Sequence, residues 1–281
     1  MWRERAHYDP LLFAGTAWYY ARYRPGPPSD MCRHLAQRLD LDARARVLDL
    51  GCGTGQVALE MAPLTGEVVG MDPDSAMLVE AARIAAERAI TNVTWVSGSS
   101  WDLGASLGGF RLVTMAQSFH WMDRPATIAA LDSLVEPGGA IALLNSSPGV
   151  AGSYSRALEV SDQVVRELFG PERRAGGGVY LNPPERHDAI FHRSAFPRVE
   201  VSHYPYRRAW TIDQVVGNVF SSSACAPHLL GGRGDAFERA LRERLAAICP
   251  AGGFVDEGAA ELEMFFRAEG EPPPLQGRLP M

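Results

Sequence analysis

From residue 46 onward, short continuous apolar runs alternate with longer stretches whose apolar positions recur every three or four residues. RVLDL (46–50) predicts a strand, and QVALEMA (56–62) a helix that Pro63 stops. GEVVGMD (66–72) predicts a second strand, and the alanine-rich SAMLVEAARIAAERA (75–89) a second helix with Asp74 as its N-cap. VTWVSG (93–98) and FRLVTMAQ (110–117) predict two more strands, followed by a helix over 126–135 and a fifth strand, GGAIALLN (138–145). Strands alternating with helices predict an α/β fold with a parallel sheet covered by helices on both faces. The unbroken apolar character of the strands predicts burial on both sides.

The flanks follow a different rhythm. Before the first strand, WYYARYRPGPP (18–28) is an aromatic and arginine cluster ending in a proline-rich breaker, and a helix capped by Ser29 or Asp30 runs to Leu39. After 145, SYSRALEVSDQVVRELF (153–169) predicts a helix and PERRAGGGVYLNPPE (171–185) a flexible loop in which Asn182 is a turn residue. RVEVSHYPYRR (198–208) alternates as a strand does; TIDQVVGNVF (211–220) and DAFERALRERLAAI (235–248) predict helices; AELEMFFRA (260–268) predicts the last strand. The resulting division is an N-terminal lid and helix (1–45), a core (46–145), and a remainder of the sheet carrying a helical cap without an independent second core (146–268). A flexible Pro- and Gly-rich tail (269–281) follows.

Composition narrows the picture without naming a chemistry. The 281 residues are 46% hydrophobic and 21% charged, with a net charge of −6. That balance argues against a nucleic-acid partner, which would favour a basic stripe. The four cysteines, Cys32, Cys52, Cys225 and Cys249, form no CxxC pair and have no histidine at ligand spacing. They predict neither a metal site nor a disulfide framework, and a reducing, cytoplasmic setting. No signal peptide and no membrane-spanning run is predicted.

The candidate chemistry begins at the first strand-to-helix turn, GCGTG, where Gly51, Gly53 and Gly55 let backbone approach a ligand at the carboxyl end of the sheet. A dinucleotide fingerprint requires a small residue at position 56, which is Gln56, and no Gly-Lys-Ser/Thr follows to make a P-loop. Asp49 lies inside the first strand. Asp72 ends the second strand, at the place where an acid can accept both ribose hydroxyls.

VLDLGCGTGQVALEMA with VVGMDPDSAML resembles the class I S-adenosylmethionine-dependent methyltransferases, closely over 19–145 and more loosely to 268. The resemblance implies a Rossmann-like, doubly wound seven-stranded sheet, mostly parallel, with a helical cap insertion. It implies S-adenosylmethionine as cofactor and S-adenosylhomocysteine as product. The glycine turn with Cys52 would pass the methionine part, Asp72 would hold the ribose, and Asp49 would lie near the amino end. Pro73, Met77 and Gln117 extend that set. Adenine would be met by the segment after the third strand, where Ser99 stands at the usual place of an acid and Ser100, Trp101 and Asp102 are the other candidates. SFHWMD (118–123), YYARYRP and RRAWTIDQVVGNVFSSSACAP are similar to a small-molecule branch that includes the trans-aconitate methyltransferases. There the N-terminal segment folds over the cofactor, and the stretch around Ser221 to Ser223 belongs to the cap.

These readings imply transfer of a methyl group to an oxygen or nitrogen of a small molecule. A secondary metabolite such as a sugar or aminoglycoside, or a carboxylic acid, falls within that class, and the chain would act as a monomer or homodimer. His120 is the candidate catalytic base; the alternative is a structural histidine holding Trp121. Trp121 and Tyr23 are candidate substrate contacts, and Tyr20 with Arg24 would close the lid on the cofactor carboxylate. Two other functions compete: a nicotinamide-dependent dehydrogenase, which Gln56 opposes, and a non-transferring S-adenosylmethionine-binding protein, such as a cyclase or regulator. NPPE (182–185) lacks the aromatic of the DNA amino-methyltransferase motif and follows the wrong strand.

Overall fold

A computed structural model describes residues 9, 11–145, 152–172, 174–176, 178–179, 185–249 and 253–268. The predicted tail (269–281) and Asn182 lie outside the described residues. Five strands, β1 (Arg46–Leu50), β2 (Glu67–Asp72), β3 (Val93–Ser97), β4 (Phe110–Ala116) and β5 (Val135–Asn145), pair in parallel. The sheet is completed by two 14-residue strands, β8 (Arg198–Thr211) and β9 (Gly253–Phe266), in the order β3-β2-β1-β4-β5-β9-β8. Only β9 runs against its neighbours. The chain therefore has the seven-stranded, mostly parallel, Rossmann-like sheet that its sequence implies.

Alternate residues of each central strand feed opposite layers. Val47, Val68, Leu112 and Ala142 face α2 (Ser29–Arg38) and α3 (Gln56–Met61). Leu48, Val69, Val113 and Ile141 face the other layer, which includes α5 (Arg124–Asp132) and α7 (His187–His192). The edge strand β3 is only half-covered, so burial on both faces holds for the central strands alone. Asp74 caps α4 (Ser75–Glu87) by accepting the Ala76 N–H at 2.9 Å, as predicted. The helix expected over 126–135 starts earlier because Asp123 caps it and accepts from Ala126 N–H; Val135 already belongs to β5.

The second half departs from expectation in three ways. The loop predicted over 171–185 contains a short ribbon, β6 (Arg174–Ala175) against β7 (Gly178–Val179). The helices α1 (Ala17–Tyr23), α7 and α9 (Pro227–Leu230) were not expected, being too short to show a period. The cap does have its own apolar cluster. In it α6 (Tyr154–Phe169), α8 (Ile212–Phe220), α9 and α10 (Gly234–Ile248) bury Ala157, Val215, Phe220, Phe237, Leu241 and Leu245 against Trp210 and Phe254 of the β8–β9 ribbon. The ribbon is long enough to leave the main sheet and serve as the floor of this cluster. Among the described residues no helix is long and apolar enough to cross a membrane.

Candidate functional site

The site forms where β1 meets α3. Gly51, Gly53 and Gly55 have φ of 71°, 55° and 82°, all left-handed, which favours glycine. Their surroundings differ. A Cβ on Gly51 would lie 2.5 Å from the Ser118 Cβ, and one on Gly55 2.7 Å from the Trp95 ring. Gly53 has only Tyr20, at 3.5 Å. Gly55 lines neither cavity of the site; its place among the expected cofactor contacts is corrected to a packing role beneath Trp95.

Asp72 is 8% exposed. Its Oδ2 accepts the Gly53 N–H at 2.8 Å and its Oδ1 the Asp74 N–H at 2.9 Å. Burial pushes its pKa up to about 6, against the two backbone hydrogen bonds that lower it. Asp49 is buried more deeply. It accepts the Thr114 hydroxyl at 2.8 Å and the Ala58 N–H, in the first turn of α3, at 3.1 Å. Burial raises its pKa to about 7. Asp49 thus secures α3 to the sheet while also lining a cavity. Burial pushes the Cys52 thiol pKa well up, which opposes formation of the thiolate.

Two adjoining cavities meet at this turn. The smaller, about 90 Å³, is lined by Asp72, Pro73, Met77, Ser99, Ser100 and Trp101 among others. The larger, about 440 Å³, lies under the cap and takes in Arg24, Asp49, Cys52, His120, Tyr154 and Trp210. Phe13, Tyr20, Gly51, Ala116, Gln117 and Trp121 line both and so form their junction. Gln117 holds a left-handed φ of 53°, a conformation that non-glycine residues adopt chiefly where structure demands it. Ser99 is explained by its turn. Asp102 accepts the Ser99 N–H at 2.8 Å and its hydroxyl at 3.0 Å, closing a capping box, so this exposed acid is engaged by its own turn, and Ser99, Ser100 and Trp101 line the cavity.

The N-terminal segment covers the junction. Phe13, which the sequence did not single out, meets Tyr20 and Trp121 edge-on at 6.3 and 6.0 Å. Arg24 lies over the Tyr20 ring and donates from Nε to Ser221 Oγ at 2.8 Å, tying this segment to the end of α8. Tyr23 is corrected: it lines neither cavity, and its ring lies against Gly217, where a Cβ would come within 2.1 Å of it. His120 follows β4 in a tight turn, its ring 4.6 Å from that of Trp121, facing only the larger cavity. The cap side of that cavity, Tyr154, Tyr206, Arg208, Trp210, Asn218 and Asp256, was not expected. Its signal was present in β8, where residues 206, 208 and 210 alternate onto one face.

Residues 47–139 match the family described as a methyltransferase domain. The ubiquinone biosynthesis O-methyltransferase of Cereibacter sphaeroides is 27% identical over 187 residues, 61% of this chain and 73% of that protein. Its namesake in Xanthomonas oryzae pv. oryzae is 38% identical over 141 residues, 48% of this chain and 56% of the relative. The Cereibacter match aside, the chain spans about half the length of such relatives. An Anaeromyxobacter dehalogenans structure, provisionally described as a type II methyltransferase, superposes with a TM-score of 0.61 at 22% identity, covering 87% of this chain and 98% of its own. The YcgJ protein of Bacillus subtilis gives 0.52 at 17%, covering 85% and 99%. These structures speak for the fold. The two relatives are named for O-methyl transfer, and neither bears on the trans-aconitate branch. Residues 47–139 are thus similar to a methyltransferase domain, and the sheet that carries the glycine turn has the Rossmann-like fold of the superposed structures.

Proposed function

We propose that this chain moves a methyl group from S-adenosylmethionine to an oxygen or nitrogen of a small molecule. The adenosine end of the cofactor would occupy the smaller cavity, and its methionine end, with the acceptor, the larger. The observation that carries this is the shared wall: the two cavities meet at Tyr20, Gly51, Gln117 and Trp121. A donor in one compartment therefore presents its reactive carbon to the other. At about 440 Å³ the larger cavity is of the size that small-molecule sites have.

The residues fit the cofactor. Each oxygen of Asp72 already accepts one backbone N–H and keeps a lone pair for a ribose hydroxyl. The half-exposed Trp101 indole offers adenine a stacking surface beside Ser99 and Ser100. Arg24, placed by Tyr20 and Ser221, is the cation for the cofactor carboxylate. When bound, S-adenosylmethionine supplies an electrophilic methyl: the acceptor lone pair forms the new bond to carbon, the S–C bond breaks, and its electrons remain on sulfur in S-adenosylhomocysteine.

The chain contributes alignment and exclusion of water. Phe13 and Tyr20 cover the junction, and Trp121 walls it. His120 receives the proton that an oxygen acceptor loses; an amine bound in its neutral form needs orientation only. The segment before β1 serves as the lid and the cap as the acceptor-binding element. The Cereibacter and Xanthomonas relatives carry the name O-methyltransferase, which favours oxygen. Gln56, whose side chain donates to Tyr20 O at 3.4 Å, occupies the place where a dinucleotide turn needs a small residue. The test is formation of S-adenosylhomocysteine, with a matching methyl gain on the acceptor, when hydroxylated and amino metabolites are offered with S-adenosylmethionine. Binding of S-adenosylhomocysteine without turnover on any of them would favour the non-transferring reading.

A further inference from the structure

Two buried polar atoms have no hydrogen-bond partner and belong to residues on one wall of the larger cavity: Nε1 of Trp210 and Oδ1 of Asn218. Such atoms are rare, because an unpaired buried donor or acceptor costs about 1–3 kcal/mol. Here both are held in place by Tyr154. Its ring stacks on Trp210 with centroids 4.7 Å apart and planes 18° from parallel. Its hydroxyl accepts from Asn218 Nδ2 at 3.1 Å. The turn between Trp210 and α8 is fixed as well: Thr211 N–H donates to Gln214 Oε1 at 2.8 Å, and Gln214 N–H to Thr211 Oγ1 at 3.2 Å. Tyr154 and this turn together set where the two residues stand.

The charges facing the cavity are balanced. Arg24 is assigned to the cofactor carboxylate and Asp49 accepts from the Thr114 hydroxyl and the Ala58 N–H, which leaves Arg208 with Asp256, one of each sign, so the walls ask for no net charge in an acceptor. The orphans ask for a group that accepts one hydrogen bond and donates another. A hydroxyl is the smallest neutral group that does both. An ammonium would leave the indole N–H unpaired, a carboxylate would set an anion against the Asn218 oxygen, and a hydrocarbon would leave both unsatisfied.

We propose that Trp210 and Asn218 form the acceptor-recognition subsite, and that the acceptor is a neutral molecule presenting a hydroxyl there. The hydroxyl oxygen accepts from Trp210 Nε1–H, and its proton is donated to Asn218 Oδ1. This rests on the methyl-transfer reading of the same site and adds the substrate class to it.

The test uses the chain saturated with S-adenosylhomocysteine and four probes of one shape, benzyl alcohol, benzylamine, benzoate and toluene, followed by ligand-detected NMR. Benzyl alcohol is expected to bind about 5-fold or more tightly than each of the others, the value of roughly one net hydrogen bond. Trp210→Phe and Asn218→Leu, on different elements, should each abolish that preference while leaving S-adenosylhomocysteine affinity within about twofold, which also reports that the variant is folded. Preference for benzylamine, benzoate or toluene, absence of any alcohol binding, or an alcohol preference that survives in a folded variant overturns the subsite. Failure of the parent chain to bind S-adenosylhomocysteine overturns the methyl-transfer reading itself, a separate result.

Discussion

Asp72 Oδ2 accepts the N–H of Gly53 at 2.8 Å, so the acid that ends β2 is bonded to the middle glycine of the β1–α3 turn. The carboxylate is aimed by backbone on both sides before any ligand arrives. Asp72→Asn preserves the shape but turns one acceptor into a donor facing a backbone N–H. Affinity for S-adenosylhomocysteine, measured by calorimetry, should fall by about 10- to 100-fold, in keeping with 1.5–3 kcal/mol for hydrogen bonds to a charged group.

Stability should depend on pH through the two buried acids. Asp49 and Asp72 have folded pKa values of about 7 and about 6, above the roughly 3.9 of an unfolded aspartate. Between about pH 4 and 7 the folded chain holds more protons than the unfolded one, so stability falls as pH rises through that window and levels off above it. The slope is at most about 1.4 kcal/mol per pH unit for each acid. Asp49→Asn should flatten thermal midpoints measured between pH 5 and 7. The variant can fold, because the Thr114 hydroxyl has Leu48 O at 3.4 Å as an alternative acceptor. Unchanged pH dependence would show that Asp49 does not carry a raised pKa.

Two glycines of the turn should behave differently. Gly51→Ala sets a Cβ 2.5 Å from Ser118 Cβ at φ 71°, and the strain and overpacking together should cost about 2–4 kcal/mol in a denaturation experiment. Gly53→Ala has ordinary space near Tyr20 and should cost about 1 kcal/mol from its backbone alone. Equal losses at the two positions would contradict the packing described for Ser118.

His120→Ala separates the base from the structural histidine. With an oxygen acceptor, kcat should fall about 10²- to 10⁴-fold while S-adenosylhomocysteine still binds, because its adenosine end would lie in the smaller cavity, which His120 does not line. Near-normal turnover would assign His120 to holding Trp121.

The central sheet was legible because β1, β2, β4 and β5 are continuous apolar runs broken by glycine and proline. Asp74 and Asp72 were legible because each follows from where a strand ends. The N-terminal cluster was misread at Tyr23 for a geometric reason. Once 17–23 is a helix, residues four apart share a face: Arg22 lies over Trp18, Tyr19 stacks on Tyr23, and Tyr20 is followed by Arg24. Only the last pair faces the turn. The Tyr19–Tyr23 pair faces α8, where Phe220 and Gly217 receive it. The cap wall escaped because Tyr154, Trp210 and Asn218 come from three elements far apart in sequence, and their meeting depends on the length of the β8–β9 ribbon. Phe13 carried no periodic signal at all.

The most direct test of the two-cavity account is a calorimetric titration of the purified chain with S-adenosylhomocysteine, repeated with NAD and with Asp72→Asn. The account predicts saturable binding at one site per chain, tightening as pH rises through about 6 and levelling off above it, because ribose hydroxyls favour the ionised form of Asp72. It also predicts no competition from NAD and a weakened Asp72→Asn variant. Absence of binding, displacement by NAD, or an affinity indifferent to Asp72 would contradict it.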